Sequence, residues 1–164
     1  MGSSRLPGKT LETLGDRPVL DWVVSRLANS ALVDEVIVAT SDRPDDDAIE
    51  AAVRGKGLTV VRGSADDVLD RYRQAVETTE ADTVVRITAD CPFIDPAVVD
   101  QAVEALHSSG AAYVSTSLDG RFPRGLDVEA FERTALEAAA RQAVDEPERE
   151  HVTLYIYRHP DRFH

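Results

Sequence analysis

"TVVRITADCPFIDPAVVDQAVEAL", residues 83–106, contains a complete strand, turn and helix. Its first half, "TVVRIT", is a short β-branched run that is nearly continuously apolar. Such a run suits a strand covered on both faces. Asp95 and Pro96 then supply an N-cap and a first helical residue, because proline's missing N–H is no loss there. The unit therefore reads as one β–α step of a layered sheet, with Ala89 to Pro92 at the carboxyl end of the strand.

The same alternation extends outward. "EVIVAT" (35–40), "LTVV" (58–61) and "AYVS" (112–115) are further predicted strands. Between them lie amphipathic segments. Pro18 opens a helix through Leu27, with Leu20, Val23, Val24 and Leu27 on one stripe. "PDDDAIEAAVRGKG" (44–57) sets acids at the positive helix start and glycines beyond the last turn. In "SADDVLDRYRQAV" (64–76), Ser64 and Asp67 have capping-box spacing. Two more helices are expected near 132–143 and 148–158. Strands alternating with helices predict an α/β protein with a mainly parallel sheet in three layers. Ligands of such sheets bind at the carboxyl ends of the strands. Those ends are Thr40 to Asp42, Arg62 to Ser64, Ala89 to Pro92, and Ser115 onward.

The 164 residues suit one domain, and 43% apolar composition is enough for a packed core. The single cysteine, Cys91, excludes an internal disulfide and points to a reducing, cytoplasmic setting. No signal-type N-terminus or membrane-length apolar run is present. The formal net charge of −12 argues against nucleic acid and anionic membrane as partners. It leaves room for a small anion at a locally basic site. The first eleven residues carry Arg5 and Lys9 and no acid, which marks them either as such a site or as two solvated side chains.

"SSRLPGKT" (3–10) invites comparison with the phosphate-binding G-x-x-x-x-G-K-[ST] loop. Ser3 stands where that motif has its first glycine. Gly15 and Pro18 break the long helix that should begin at Gly8. The P-loop reading fails on that ground. A different cradle remains, in which Gly2 and Gly8 allow close backbone approach, Ser3 and Ser4 give hydroxyls, and Arg5 and Lys9 give charge.

Six stretches in order, "MGSSRLPGK", "VATS", "RGSADDVLDRY", "RITADCPFIDP", "FPRGLDVEAF" and "EREHVTLYIY", resemble the spore-coat-polysaccharide-type cytidylyltransferases. These are relatives of the enzymes that activate 3-deoxy sugar acids as CMP-sugars. The resemblance implies a Rossmann-like nucleotide-diphospho-sugar transferase fold. It also implies transfer of CMP from CTP to a sugar or sugar acid with Mg2+, for surface polysaccharide synthesis. Lys9 and Arg5 would then neutralise the triphosphate as catalytic cations, beside Gly2, Ser3 and Ser4. Asp90 would hold magnesium. Arg62, Gly63, Ser64 and Arg71 would line the nucleoside pocket. Arg124, Asp127, Glu129 and His151 would face the sugar, with Arg149 completing that side.

Plainer roles stand beside these. Asp90 also fits a strand terminator, Ser64 a helix N-cap, and Arg71 an ion-pair partner of Asp67. Asp127 and Glu129 share one face of a short strand and also fit solvated acids. His151 fits a packed or capping residue, and Cys91 a small buried one. The family continues on both sides of the matched stretches, with a Q-A-R strand before M-G-S-S and a V-D-T-x-E-D segment after the last helix. On that comparison, 1–164 reads as an incomplete nucleotidyltransferase domain, poorly active and marginally stable alone. An inactive nucleotide-binding remnant, or the same fold serving another nucleoside triphosphate, are the alternative functions. A homodimer is the analogous assembly.

Overall fold

The computed structural model describes residues 6, 8–118 and 120–163. Their order is β1 (Thr13–Leu14), β2 (Arg17–Pro18), α1 (Val19–Leu27), β3 (Ile37–Ser41), α2 (Asp47–Arg54), β4 (Thr59–Gly63) and α3 (Val68–Val76). There follow β5 (Thr83–Arg86), α4 (Pro96–Ser109), β6 (Tyr113–Ser115), β7 (Glu129–Glu132), α5 (Arg133–Gln142), α6 (Glu146–Glu150) and α7 (Leu154–Arg158). The four expected strands are all present, each within two or three residues of the sequence reading.

β3 and β4 pair in parallel from Ile37↔Thr59 to Ser41↔Gly63. β7 pairs antiparallel with β5 on one side and β6 on the other, so β5 and β6 run parallel to each other across it. The α/β architecture is the one the sequence predicts. β7 is an added antiparallel strand within it. "EAFE" has little β-propensity of its own, and its extended form follows from ladders to two neighbours.

The layers follow from side-chain alternation. Val84, Phe131 and Tyr113 lie in register and pack toward α3, α5 and α7, in a core containing Leu69, Leu136 and Ile156. Their neighbours Val85, Ala130 and Val114 pack on the opposite face, against Val23 of α1 and Val99 and Leu106 of α4. A third cluster joins α1 and α2 through Leu20, Ile49 and Val53 to the β3 and β4 residues Val38 and Val60. With helices on both faces, the strands must be apolar on both sides.

Two helices differ from expectation. α3 begins at Val68, and its N-cap is Asp67, whose side chain accepts the Asp70 amide. Ser64 lies a turn earlier and accepts the amides of Asp66 and Asp67 at 3.3 and 3.2 Å. The helix expected at 148–158 is two helices. Between them Val152 is buried with φ of 48°, a left-handed conformation that a β-branched residue rarely adopts. The adjacent Thr153 hydroxyl donates to the Glu129 carboxylate, which draws the chain out of helical register.

α4 carries the predicted cap, with the Asp95 side chain accepting the Ala97 amide at 2.9 Å. No long helix follows Gly8. A single 3-10 turn at Lys9–Leu11 leads into the β1–β2 hairpin instead, as the rejection of the P-loop requires. Among the described residues, no helix is long and apolar enough to cross a membrane.

Candidate active site

A cavity of about 430 Å3 opens at the carboxyl ends of β3 and β4. Thr40 and Ser41 form its floor, the 43–46 turn and Ala65–Asp66 its sides, and Arg71 and Glu150 reach it from α3 and α6. Thr10 and Ala89 complete the lining, which brings the N-terminal loop and the end of β5 to the same rim.

Their neighbours Lys9 and Asp90 form an ion pair there, although 81 positions separate them. Two local features fix the Lys9 stem. Gly8 takes the left-handed conformation at φ 75°, and the Leu11 amide closes the turn onto the Gly8 carbonyl at 2.9 Å. Asp90 sits in a tight turn closed by the Cys91 amide on the Thr88 carbonyl at 3.1 Å. Burial opposes ionisation of Asp90, but hydrogen bonds from Lys9 and then Thr88 hold its carboxyl below the ordinary aspartate range. Cys91 is buried, with its Sγ 3.1 Å from Thr88 Oγ1, and burial pushes its thiol pKa up. That environment makes a poor nucleophile.

Arg71 occupies an unusual position. Among the described residues its guanidinium has no hydrogen-bond or ion-pair partner, and its Nε is buried. Burial lowers its pKa, against the field of Tyr72, Asp46 and Asp42. The ion pair with Asp67 does not form, because Arg149 takes Asp67 with Nε at 3.0 Å and Nη2 at 2.5 Å. Arg71 can lie where it does because residue 63 is glycine. A Cβ there would stand 2.8 Å from the Arg71 Cγ. An unpaired, desolvated cation facing a cavity is a site for an anion or a carbonyl oxygen.

Three residues assigned to ligands by resemblance are committed elsewhere. The Arg62 guanidinium donates to Asp47 and Glu50 at 2.6 Å each, and to the carbonyls of Ser41 and Arg43 at 2.8 Å. It clamps α2 to β4, with four of its five N–H donors spent on those contacts. Glu129, expected either at the sugar or in solvent, is buried. Its carboxylate accepts from Arg86, from the Tyr113 hydroxyl at 2.7 Å and from Thr153. The cause is register, since Arg86 and Glu129 are directly opposed across β5 and β7. Arg149 likewise ties α6 to α3 and to the Ala140 carbonyl.

Asp127 accepts the Gly125 amide at 3.1 Å within the turn that carries Arg124. Arg124 and His151 are exposed. Gly2, Ser3, Ser4 and Arg5 lie outside the described residues.

The sequence reading marked Thr40 to Asp42 only as a strand end and missed Asp45 and Asp46. Asp46 is buried and accepts from Thr40 Oγ1 at 2.7 Å and from the Ser41 amide and hydroxyl at 2.9 and 2.6 Å. Its signal in the sequence is the acidic run after Pro44, which equally fits an ordinary helix start.

No group of three potential metal ligands exists among the described residues. The lone Asp90 carboxylate, half-exposed at a strand end, fits a hard divalent ion that takes its remaining ligands from phosphates and water. It does not fit an all-protein cage.

A Rossmann-like layered domain with its cavity at the strand ends, an anion-directed arginine and a lysine–aspartate pair at the rim describes a nucleotidyltransferase class of site. The Cytidylyltransferase family profile matches residues 1–164, and the chain belongs to that family. The spore coat polysaccharide biosynthesis protein SpsF of Bacillus subtilis is 38% identical over 98% of this chain and 68% of its own length. The 3-deoxy-manno-octulosonate cytidylyltransferase of Geobacter sulfurreducens is 37% identical over 70% of this chain and 45% of its own. A solved cytidylyltransferase from Leptospira borgpetersenii superimposes with a TM-score of 0.91 at 35% identity, covering 99% of this chain and 69% of that one. The chain thus spans about two thirds or less of the length of the curated relatives it matches.

Proposed function

We propose that this domain transfers CMP from CTP to a sugar or sugar acid, releasing pyrophosphate, in the synthesis of a surface polysaccharide. The observation that carries this is a strand-end cavity lined by Arg71, which has no partner among the described residues, with the Lys9–Asp90 pair next to the lining residues Thr10 and Ala89. The cytidylyltransferase name shared by the family and two of the relatives supports CTP, and the sugar acid named for one relative supports the acceptor class.

In the reaction, a sugar oxygen attacks the α-phosphorus, and the bond from that phosphorus to the bridging oxygen of the leaving pyrophosphate breaks. Positioning and charge stabilisation account for most of the rate in such transfers. Lys9 would meet the triphosphate and stabilise charge on the α-phosphate or the leaving pyrophosphate. Asp90 would hold Mg2+, which when bound neutralises phosphate charge. Arg71 takes an acceptor group of the nucleoside within the cavity, and the Ser64 loop borders it. Arg124, Asp127 and His151 are the residues left to meet the sugar. The domain acts in the cytoplasm, where CTP is available.

Pyrophosphate release, measured with each of the four nucleoside triphosphates across a panel of 3-deoxy and other sugar acids, tests the proposal. CTP-dependent release with one acceptor, abolished by Lys9→Met, is the expected outcome. CTP binding without turnover on any acceptor would instead identify a nucleotide-binding protein.

A further inference from the structure

We propose that the Lys9–Asp90 ion pair is an electrostatic latch that makes the site accept the metal–nucleotide complex in preference to free nucleotide. The inference rests on the nucleotide reading above and adds a property to it.

Both partners are rigidly presented. Lys9 follows a left-handed glycine and begins a closed 3-10 turn, with its amide on the Leu6 carbonyl at 3.3 Å. Asp90 sits in a turn whose next link is the Ile94 amide on the Cys91 carbonyl at 3.1 Å. The pair therefore joins two fixed loops. Their side chains are 32% and 40% exposed, so water and a ligand reach both. An ion pair of this exposure opens readily when a competing partner arrives.

The two halves answer to opposite ligands. A triphosphate attracts the ammonium and is repelled by the carboxylate, whereas a divalent cation does the reverse. Free nucleotide must therefore pull Lys9 from Asp90 and leave an uncompensated carboxylate beside its own phosphates. A nucleotide that carries its divalent ion supplies a partner to each half at once, and no charge is left unmatched. The latch also keeps Lys9 neutralised while the site is empty, in a chain whose formal charge is −12 and whose rim includes Asp45, Asp46, Asp66 and Glu150. Cytosolic anions other than the metal–nucleotide complex then find no free ammonium at that rim position.

The test is a double-mutant cycle read as CTP affinity by calorimetry, once in EDTA and once in Mg2+. The proteins are the parent chain, Asp90→Asn, Lys9→Met and the double variant. Without metal, Asp90→Asn should bind CTP roughly tenfold more tightly than the parent, the worth of one charge-assisted hydrogen bond released to a phosphate. In EDTA, Lys9→Met should cost less CTP affinity in the parent, where its ammonium is engaged by Asp90, than in the Asp90→Asn background, where it should remove the gain. Mg2+ should strengthen CTP binding to the parent and not to Asp90→Asn. Asp90→Ser, which removes the same charge in a smaller side chain, must repeat the Asp90→Asn result.

A Lys9→Met loss of equal factor in both backgrounds overturns the latch, as does metal-free binding that Asp90→Asn leaves unchanged. If the parent binds no CTP even in Mg2+, the nucleotide reading falls and the latch with it. If CTP binds normally in Mg2+ and the cycle is flat, the latch alone is wrong.

Discussion

Replacing Glu129 separates a core residue from a substrate ligand. Its carboxylate is paired with Arg86, and the two side chains are only 12% and 21% exposed. It also accepts from Tyr113 and Thr153. Glu129→Ala leaves the Arg86 guanidinium without its counter-charge beside the partly buried Tyr72, and Arg86 Nε already lacks a partner. Removing one member of a buried ion pair costs about 3–5 kcal/mol. The residual exposure of this pair places the loss at the lower end, about 3 kcal/mol. For a domain of this size that is a fall in midpoint temperature of roughly 6–12 °C.

Glu129→Gln keeps the shape and an acceptor for Tyr113, so its loss should be smaller, about 1–2 kcal/mol. Combining Glu129→Gln with Arg86→Met should recover part of it, because no unmatched charge remains. Urea unfolding followed by Trp22 fluorescence, with a thermal melt, gives both numbers. Glu129→Ala within about 0.5 kcal/mol of the parent would refute the buried-network reasoning. So would a Glu129→Gln that keeps its stability and loses only sugar-dependent turnover.

Other outcomes follow from the same geometry. Gly63→Ala should weaken CTP binding by displacing Arg71, whose Cγ would lie 2.8 Å from the new methyl, and should leave the melt lowered by no more than the ~1–3 kcal/mol of a local overpacking. Isothermal titration of that variant, with binding unchanged, would remove Arg71 from the site. Arg62→Met should lower the melting temperature through loss of the α2 clamp, with CTP affinity in Mg2+ retained; a selective loss of affinity would return Arg62 to the nucleoside pocket.

Asp100 ties the 30–32 loop to α4, and the Ser30 hydroxyl with the Ala31 and Leu32 amides holds its carboxyl below the ordinary range, against slight burial. Its folded pKa is the lower one. Its contribution to stability is therefore full above the unfolded value near ~3.9 and fades as pH falls through the folded value. Asp100→Asn should lower the melt at pH 7 and converge with the parent in acid. Parallel melting curves across that range would contradict it.

The strands at 37–41, 59–63, 83–86 and 113–115 were legible because each is a short β-branched run, and apolar character on both faces is what a two-sided sheet demands. The Asp95–Pro96 helix start was legible because capping is decided within three residues. Lys9 and Asp90 were legible as chemistry, through their place in long motifs and at a strand end.

β7 was only half legible. Its extended form depends on two ladders contributed by residues some 15 to 50 positions away. The helix break at Val152 was hidden for the same reason, since a hydroxyl reaching Glu129 outweighs a local sequence with no breaker in it. Arg62, Arg71 and Arg149 look alike in the chain. Two are consumed by carboxylates and carbonyls, and one is left facing a cavity because a glycine makes room for its stem.

Sequence by itself therefore determined the layered α/β architecture, the family and the kinds of charged group at the strand ends, because those depend on periodicity, local caps and contiguous motifs. Tertiary structure decided which of those charges meet each other and which remain for a ligand. That depends on register and packing between distant segments, where one added methyl at position 63 or one opposed pair across β5 and β7 redirects a side chain.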